Sequence, residues 1–272
     1  MLRAKEFSRF KDQIQLVTTQ YEEDVAIIPE GFQILSNLEQ SILDVNPALN
    51  GKKLPLIKDI LSKTNEVSDF DFIIYTNMDI VLMPGFYDAV FAYLEEGHDV
   101  VVINRRRISG DYSKISELPM MYADMGKSHP GFDCFIFHKD LLPKLILEDI
   151  CIGISFLEAT LVHNLFSFAK NPLFVPDKHL TFHIGMDVLV PRNNAFYLHN
   201  RTTFFQKIYP ELKPYFDLKK FPYGTMPIYK RSIKWMLNPS LFTRNYLNLE
   251  GQSWLRKLKT RLDEVRWRII QR

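Results

Sequence analysis

Cysteine is nearly absent from this chain: its 272 residues include two, Cys134 and Cys151, and no C-x-x-C pair. Two cysteines cannot staple a fold, so a hydrophobic core has to hold it, and a reducing compartment is the simpler expectation. Net charge is nearly absent too, with 34 Lys and Arg against 32 Asp and Glu. A dedicated nucleic-acid binder carries a basic excess, so no nucleic-acid partner is expected. No apolar run approaches the length of a membrane span, and Met1 to Phe7 lacks the apolar centre of a secretory signal. These absences point to the cytoplasm. The phosphate-loop, G-x-S-x-G and H-E-x-x-H patterns do not occur, which leaves kinase and hydrolase readings without an anchor.

What the chain does hold is apolar material, 46% of its residues, with 13% aromatic. That is enough for one sizeable core, and it excludes global disorder. Ile14 to Thr18 alternates and is β-branched, which predicts a strand, and Phe32 to Leu35 predicts a short second one. Pro55 suits the first turn of a helix over Leu56 to Thr64. Phe70 to Thr76 is an almost continuous apolar run, the pattern of a strand covered on both faces. Pro84 opens a helix that Gly97 stops, and Asp99 to Asn104 is a further buried strand. This strand–helix–strand unit predicts a right-handed crossover and parallel pairing. Arg105 to Lys127 reads as a long polar loop. Strands are expected over Cys134 to Phe137 and Leu180 to His183, with an apolar helix over Phe156 to Phe168 between them.

Beyond about residue 200 the pattern turns aromatic, Pro-broken and basic. The organisation expected is therefore an α/β domain over 1–200 and an extension over 201–272. The extension ends in an amphipathic basic helix from Trp254 to Arg272. Such a helix fits a peripheral contact with an anionic membrane, and it equally fits packing on the domain or on another chain.

In open α/β sheets ligands bind beyond the carboxyl ends of the strands. Asn77 and Asp79 lie there, two apart, after the most apolar strand. A carboxylate with an amide oxygen suits a hard divalent cation, Mg²⁺ or Mn²⁺, whose shell phosphate oxygens and water complete. The same residue types also serve a plain turn.

The run from Lys52 through a helix to Asn77 and Asp79 resembles the GT-A fold of nucleotide-sugar glycosyltransferases, a Rossmann-like fold with a mostly parallel central sheet flanked by helices. Asp79 matches the second aspartate of that family's Asp-x-Asp motif, and Asn77 stands where the first would be. Lys58 takes the position of a basic residue on the preceding helix, with Lys53 as a second candidate. The blocks Thr76-Asn77-Met78-Asp79-Ile80, His129-Pro130-Gly131-Phe132-Asp133 and Thr181-Phe182-His183-Ile184-Gly185 are similar to those of bacterial members of this superfamily.

The resemblance implies a hexosyl transfer from a nucleoside-diphosphate sugar to a glycan or lipid-linked hydroxyl. It implies donor binding at Lys53, Lys58, Asn77, Asp79 and Arg105, and a metal on Asp79, Asn77 and His183. Asp133, or Glu158 in the apolar helix, would take the acceptor proton. Bland readings stand beside these: Asp133 capping a turn after Pro-Gly, Glu158 on a polar helix face, His183 a satisfied core group, Arg105 to Arg107 a solvated turn. Family members open with a strand that grips the base. Here Ile14 to Thr18 does that work, or the strand is missing from this chain. A nucleotidyltransferase-like enzyme and a non-catalytic binding protein are the remaining readings. One fold serves many functions.

Overall fold

The computed structural model describes residues 1–129, 131–185, 194–238 and 240–241. The predicted helix over Trp254 to Arg272 lies outside the described residues.

Among the described residues ten strands occur in the order β1 (Val17–Thr18), β2 (Gln33–Ile34), β3 (Phe72–Thr76), β4 (Ile80–Leu82), β5 (Val100–Ile103), β6 (Arg106–Ile108), β7 (Lys127–Ser128), β8 (Cys134–His138), β9 (Pro172–Val175) and β10 (Thr181–Ile184). They form a main sheet ordered β3-β8-β5-β9, a second sheet ordered β4-β10-β6-β7, and the separate parallel pair β1-β2. Helices flank the sheets, so the architecture is mixed α/β.

The main sheet is buried on both faces, and the register shows how. Val101 lies opposite Ile136 and Val102 opposite Phe135. Side chains alternate between faces along a strand. Val101, Ile103, Cys134 and Ile136 therefore share one face with Phe86, Tyr87 and Val90 of the helix Phe86–Glu95. Val100, Val102, Phe135 and Phe137 share the other with Leu161 and Leu165 of the helix Leu157–Phe168. Each fully buried Phe, Leu or Ile here contributes about 1.5–3 kcal/mol relative to exposure.

The helix Leu157–Phe168 carries ten buried residues out of twelve. It has no solvent face because a further layer covers it: Phe204, Ile208, Leu212 and Phe221 belong to the same core cluster. The expected boundary near residue 200 falls inside the continuous helix Ala195–Thr203.

Two expectations need correction. β3 and β5 run in the same direction but do not pair, because β8 lies between them, antiparallel to both. Among the described residues the parallel partner of β5 is β9. The reason is topological: the chain leaves β5 for the second sheet and re-enters the main sheet through β8.

Nor is Arg105 to Lys127 an irregular loop. It contains β6 and the helix Leu118–Ala123 and ends on the first residue of β7. Its few apolar residues suffice: Ile108 and Met121 form a small core with Phe182, and Tyr112, Leu118 and Tyr122 pack on it. Arg106 supports the return to β7 by donating to the carbonyls of Met125 and Gly126. At Gly126 the backbone is left-handed (φ +49°), and a Cβ would lie 2.8 Å from the Arg107 carbonyl carbon. Only glycine fits that turn without strain.

Candidate functional site

β3, β5 and β9 point the same way, so their carboxyl ends open on one edge of the main sheet. There the chain passes from sheet to sheet four times: β3 to β4, β5 to β6, β9 to β10, and back from β7 to β8. The links carry Asn77 and Asp79, Asn104 and Arg105, Asp177 and His179, and His129 and Asp133. Polar residues collect there because each link must leave a sheet whose strands are apolar on both faces.

Hydrogen bonds tie the links together. Asn104 Nδ2 donates to the His129 carbonyl (2.9 Å), and Asn104 Oδ1 accepts from the Asp177 amide (2.6 Å). Thr76 Oγ1 donates to the Asp133 carbonyl at 2.9 Å. Thr181 Oγ1 donates to the Asn104 carbonyl at 3.3 Å. Asp177 and His179 hold left-handed backbone, φ 55° and 50°, a conformation that non-glycine residues keep only when surroundings enforce it. Arg106 also pairs with Asp177.

Asp79 occupies an exposed turn, closed by the Ile80 amide donating to the Asn77 carbonyl at 3.2 Å. β4 and β10 pair with His183 opposite Ile80. This places His183 Nε2 3.3 Å from Asp79 Oδ2. The His183 hydrogen bond, more than anything else, holds the Asp79 carboxyl below its ordinary pKa. Partial burial works against it, and the Arg105 charge helps. His183 Nδ1 lies 3.4 Å from the Gly185 carbonyl. Both ring nitrogens thus face oxygens that only accept. A neutral ring donates through one nitrogen at a time, and the shorter approach is the one to Asp79.

Arg105, the first residue after Asn104, is buried and ion-paired with Asp133. Asp133 is 1% exposed, and its Oδ2 has no hydrogen-bond partner among the described residues. Glu158 sits half-buried in the first turn of the helix Leu157–Phe168. Its Oε2 accepts from the Phe132 amide (3.4 Å) and from Ser240 Oγ (3.1 Å). It therefore abuts the link that bears His129 and Asp133. The Tyr75 hydroxyl donates to Asn77 Oδ1 at 3.4 Å, and burial first, then the Asp79 charge, raises its pKa.

Asp79, His183, Arg105, Asp133, Asn77 and Glu158 therefore all lie at or against the seam. The two lysines have contacts elsewhere. Lys53 pairs with Glu23 at 2.9 Å and lies 3.8 Å over the Tyr21 ring. Lys58 pairs with Asp149 at 2.6 Å. Neither has a hydrogen bond or ion pair to a seam residue among the described residues. The tri-arginine segment is not a solvated turn: Arg106 and Arg107 are strand residues, and Arg105 and Arg107 are buried.

The sequence reading missed Asn104, Asp177 and His179. The signal was present, since each follows within a few residues of an apolar strand, as Asn77 and Asp79 do.

Among the described residues no group of three or more His, Cys, Asp or Glu side chains is arranged to hold a metal ion. The donor groups that meet are Asp79 and His183, one carboxylate and one imidazole. A divalent cation would complete its shell from ligand oxygens and water. No helix among the described residues is long and apolar enough to cross a membrane.

No protein-family model matches the chain, and neither does any curated protein. Solved structures of residues 1–349 of TarS from S. aureus are similar. One, in complex with UDP-GlcNAc, is 12% identical with a TM-score of 0.43, covering 93% of this chain and 86% of that one. Another, in complex with UDP, is 14% identical with the same TM-score, covering 100% of this chain and 83% of that one. Likeness of this extent transfers neither a ligand nor a residue role.

Proposed function

We propose that the chain is a glycosyltransferase that takes a hexosyl group from a nucleoside-diphosphate sugar and passes it to a hydroxyl acceptor, a glycan or a lipid-linked glycan. The observation that carries the reading is the Asp79–His183 pair at the carboxyl edge of three parallel strands, with Arg105 in its electrostatic field. Ligands of open α/β sheets bind at that edge. The donor's diphosphate would lie against Asp79 and His183 through a divalent cation. A cation there neutralises charge on the departing diphosphate. Asn77, hydrogen-bonded to Tyr75, orients the turn that presents Asp79.

Glu158 is the better-placed base in this reading. It is half-buried and hydrogen-bonded rather than ion-paired, whereas Asp133 is committed to Arg105. The acceptor oxygen bonds to the sugar's anomeric carbon, the bond from that carbon to the diphosphate breaks, and the hydroxyl proton goes to Glu158. Asp133 then acts by fixing Arg105.

The test is a thermal-shift panel of nucleoside diphosphates and their sugars, with and without Mn²⁺, on the wild type and Asp79→Ala. A metal-dependent shift for one nucleotide, absent in the variant, supports the donor site. A folded wild type that responds to none of them sinks the reading. Asn77 in place of an aspartate favours a second reading, a protein that binds the donor without transferring it. Donor binding with no turnover across a broad acceptor panel would select that reading.

A further inference from the structure

The near-zero net charge hides a segregation. Residues 1–200 hold 18 Lys and Arg against 27 Asp and Glu, and residues 201–272 hold 16 against 5. The first part is therefore −9 and the second +11. From Leu218 to Leu249 there are six basic residues and no acidic one. Charge divided in this way along a chain marks one end for an anionic partner.

The helix Ile228–Leu237 lies in that stretch. Three of its residues contact the preceding segment, among them Lys234, whose Nζ lies 5.5 Å from the centre of the Tyr223 ring. Trp235 Nε1 donates to the Pro222 carbonyl at 2.9 Å, and Arg231 Nη1 donates to the Gly224 carbonyl at 3.0 Å. With about 100° between successive residues, Tyr229, Ile233, Met236 and Leu237 fall on the other side. All four are exposed, Tyr229 at 62% and Ile233 at 54%, and Ile228 at the helix start is 70% exposed. Lys230 and Lys234 border this apolar stripe. No residue of the helix is buried.

We infer that the helix Ile228–Leu237 docks this protein in the plane of an anionic lipid surface, with its apolar stripe in the interface and Lys230 and Lys234 among the headgroups. An amphipathic helix with a basic border is the form that such contacts take. Two observations favour lipid over other occupants. A hydrated polyanion would satisfy the lysines but leave the stripe in water. A second copy packed through a two-fold axis would bring two sets of Lys230 and Lys234 to one interface, with no acidic residue in the helix to pair with them. The acidic remainder of the chain is repelled by the same surface, which orients the molecule with its basic end inward. The inference stands independently of the transferase reading.

The test is flotation of the full chain with phosphatidylcholine vesicles and with vesicles that also contain phosphatidylglycerol, at low and high salt. Binding is expected to the anionic vesicles alone and to weaken with salt. Lys230→Gln and Lys234→Gln should each reduce it about fivefold. The double variant Ile233→Ser, Met236→Ser should abolish most of it while its melting temperature stays at the wild-type value. Light scattering accompanies each sample. Absence of vesicle binding overturns the inference. So does binding that the double variant retains, because residues beyond 241 would then carry it. A wild-type dimer that the double variant loses also overturns it, because a second copy would then cover the stripe.

Discussion

Asp79 and His183 lie more than a hundred positions apart in the chain, yet the antiparallel register of β4 and β10 brings Oδ2 and Nε2 within 3.3 Å. Asp79 is exposed in a turn and His183 is half-buried on a strand. An exposed carboxylate thus meets a half-buried imidazole across the two elements.

If the pair acts as one unit on a divalent cation, Asp79→Ala and His183→Ala should each weaken Mn²⁺ binding, by about tenfold or more. The double variant should lose far less than the product of the two, because partners in contact are not additive. Titration calorimetry with Mn²⁺ reads all four proteins. Fully additive losses would show that the residues act separately.

The buried Arg105–Asp133 pair makes a stability prediction. Removing one charge leaves the other uncompensated in a low-dielectric interior, at a cost of about 3–5 kcal/mol. Asp133→Asn should therefore lower the urea midpoint strongly. Replacing both members by apolar residues of similar volume should cost less. A single variant that unfolds like the wild type would mean that the pair is not buried in solution.

His163 gives a pH dependence. It is buried among Phe204, Tyr209 and Phe221, and its Nε2 donates to the Ser240 carbonyl at 3.1 Å. Burial pushes its pKa down to about 4, from an ordinary value of 6.5. The unfolded chain therefore binds a proton that the folded chain refuses. The stability held above pH 6.5 falls as the pH drops towards 4. Between about pH 7 and pH 5 the loss should be roughly 2 kcal/mol. Urea unfolding at both values, with His163→Phe as the reference, measures it. A variant with the same loss as the wild type assigns the dependence to another group.

Glu158→Gln keeps the shape of the side chain and removes its basicity. Transfer should slow by about 10²–10⁴-fold. Donor affinity should stay unchanged, because Glu158 abuts the link to β8 rather than the turn holding Asp79. A variant with undiminished turnover would return Glu158 to a structural role at the helix start.

The strands were legible because their chemistry is local. A run such as Val100 to Ile103 has no polar face and is short and β-branched, which favours a strand covered on both sides, and the Phe86–Glu95 helix announces itself by Pro84 and Gly97. The carboxylate and amide after β3 were legible for the same reason, since polar residues directly after an apolar strand fall at a sheet edge. Pairing was not, because which strands become neighbours depends on the whole path. Nothing in Phe72–Thr76 or Val100–Ile103 states that Cys134–His138 will come between them. The burial of Arg105 was equally invisible: an arginine enters a core only where a distant carboxylate, here Asp133, is delivered to meet it. Sequence by itself determined where the chain is apolar on both faces and where it must turn. Tertiary structure decided which turns meet, because contacts across a sheet edge join residues whose separation along the chain carries no local signal.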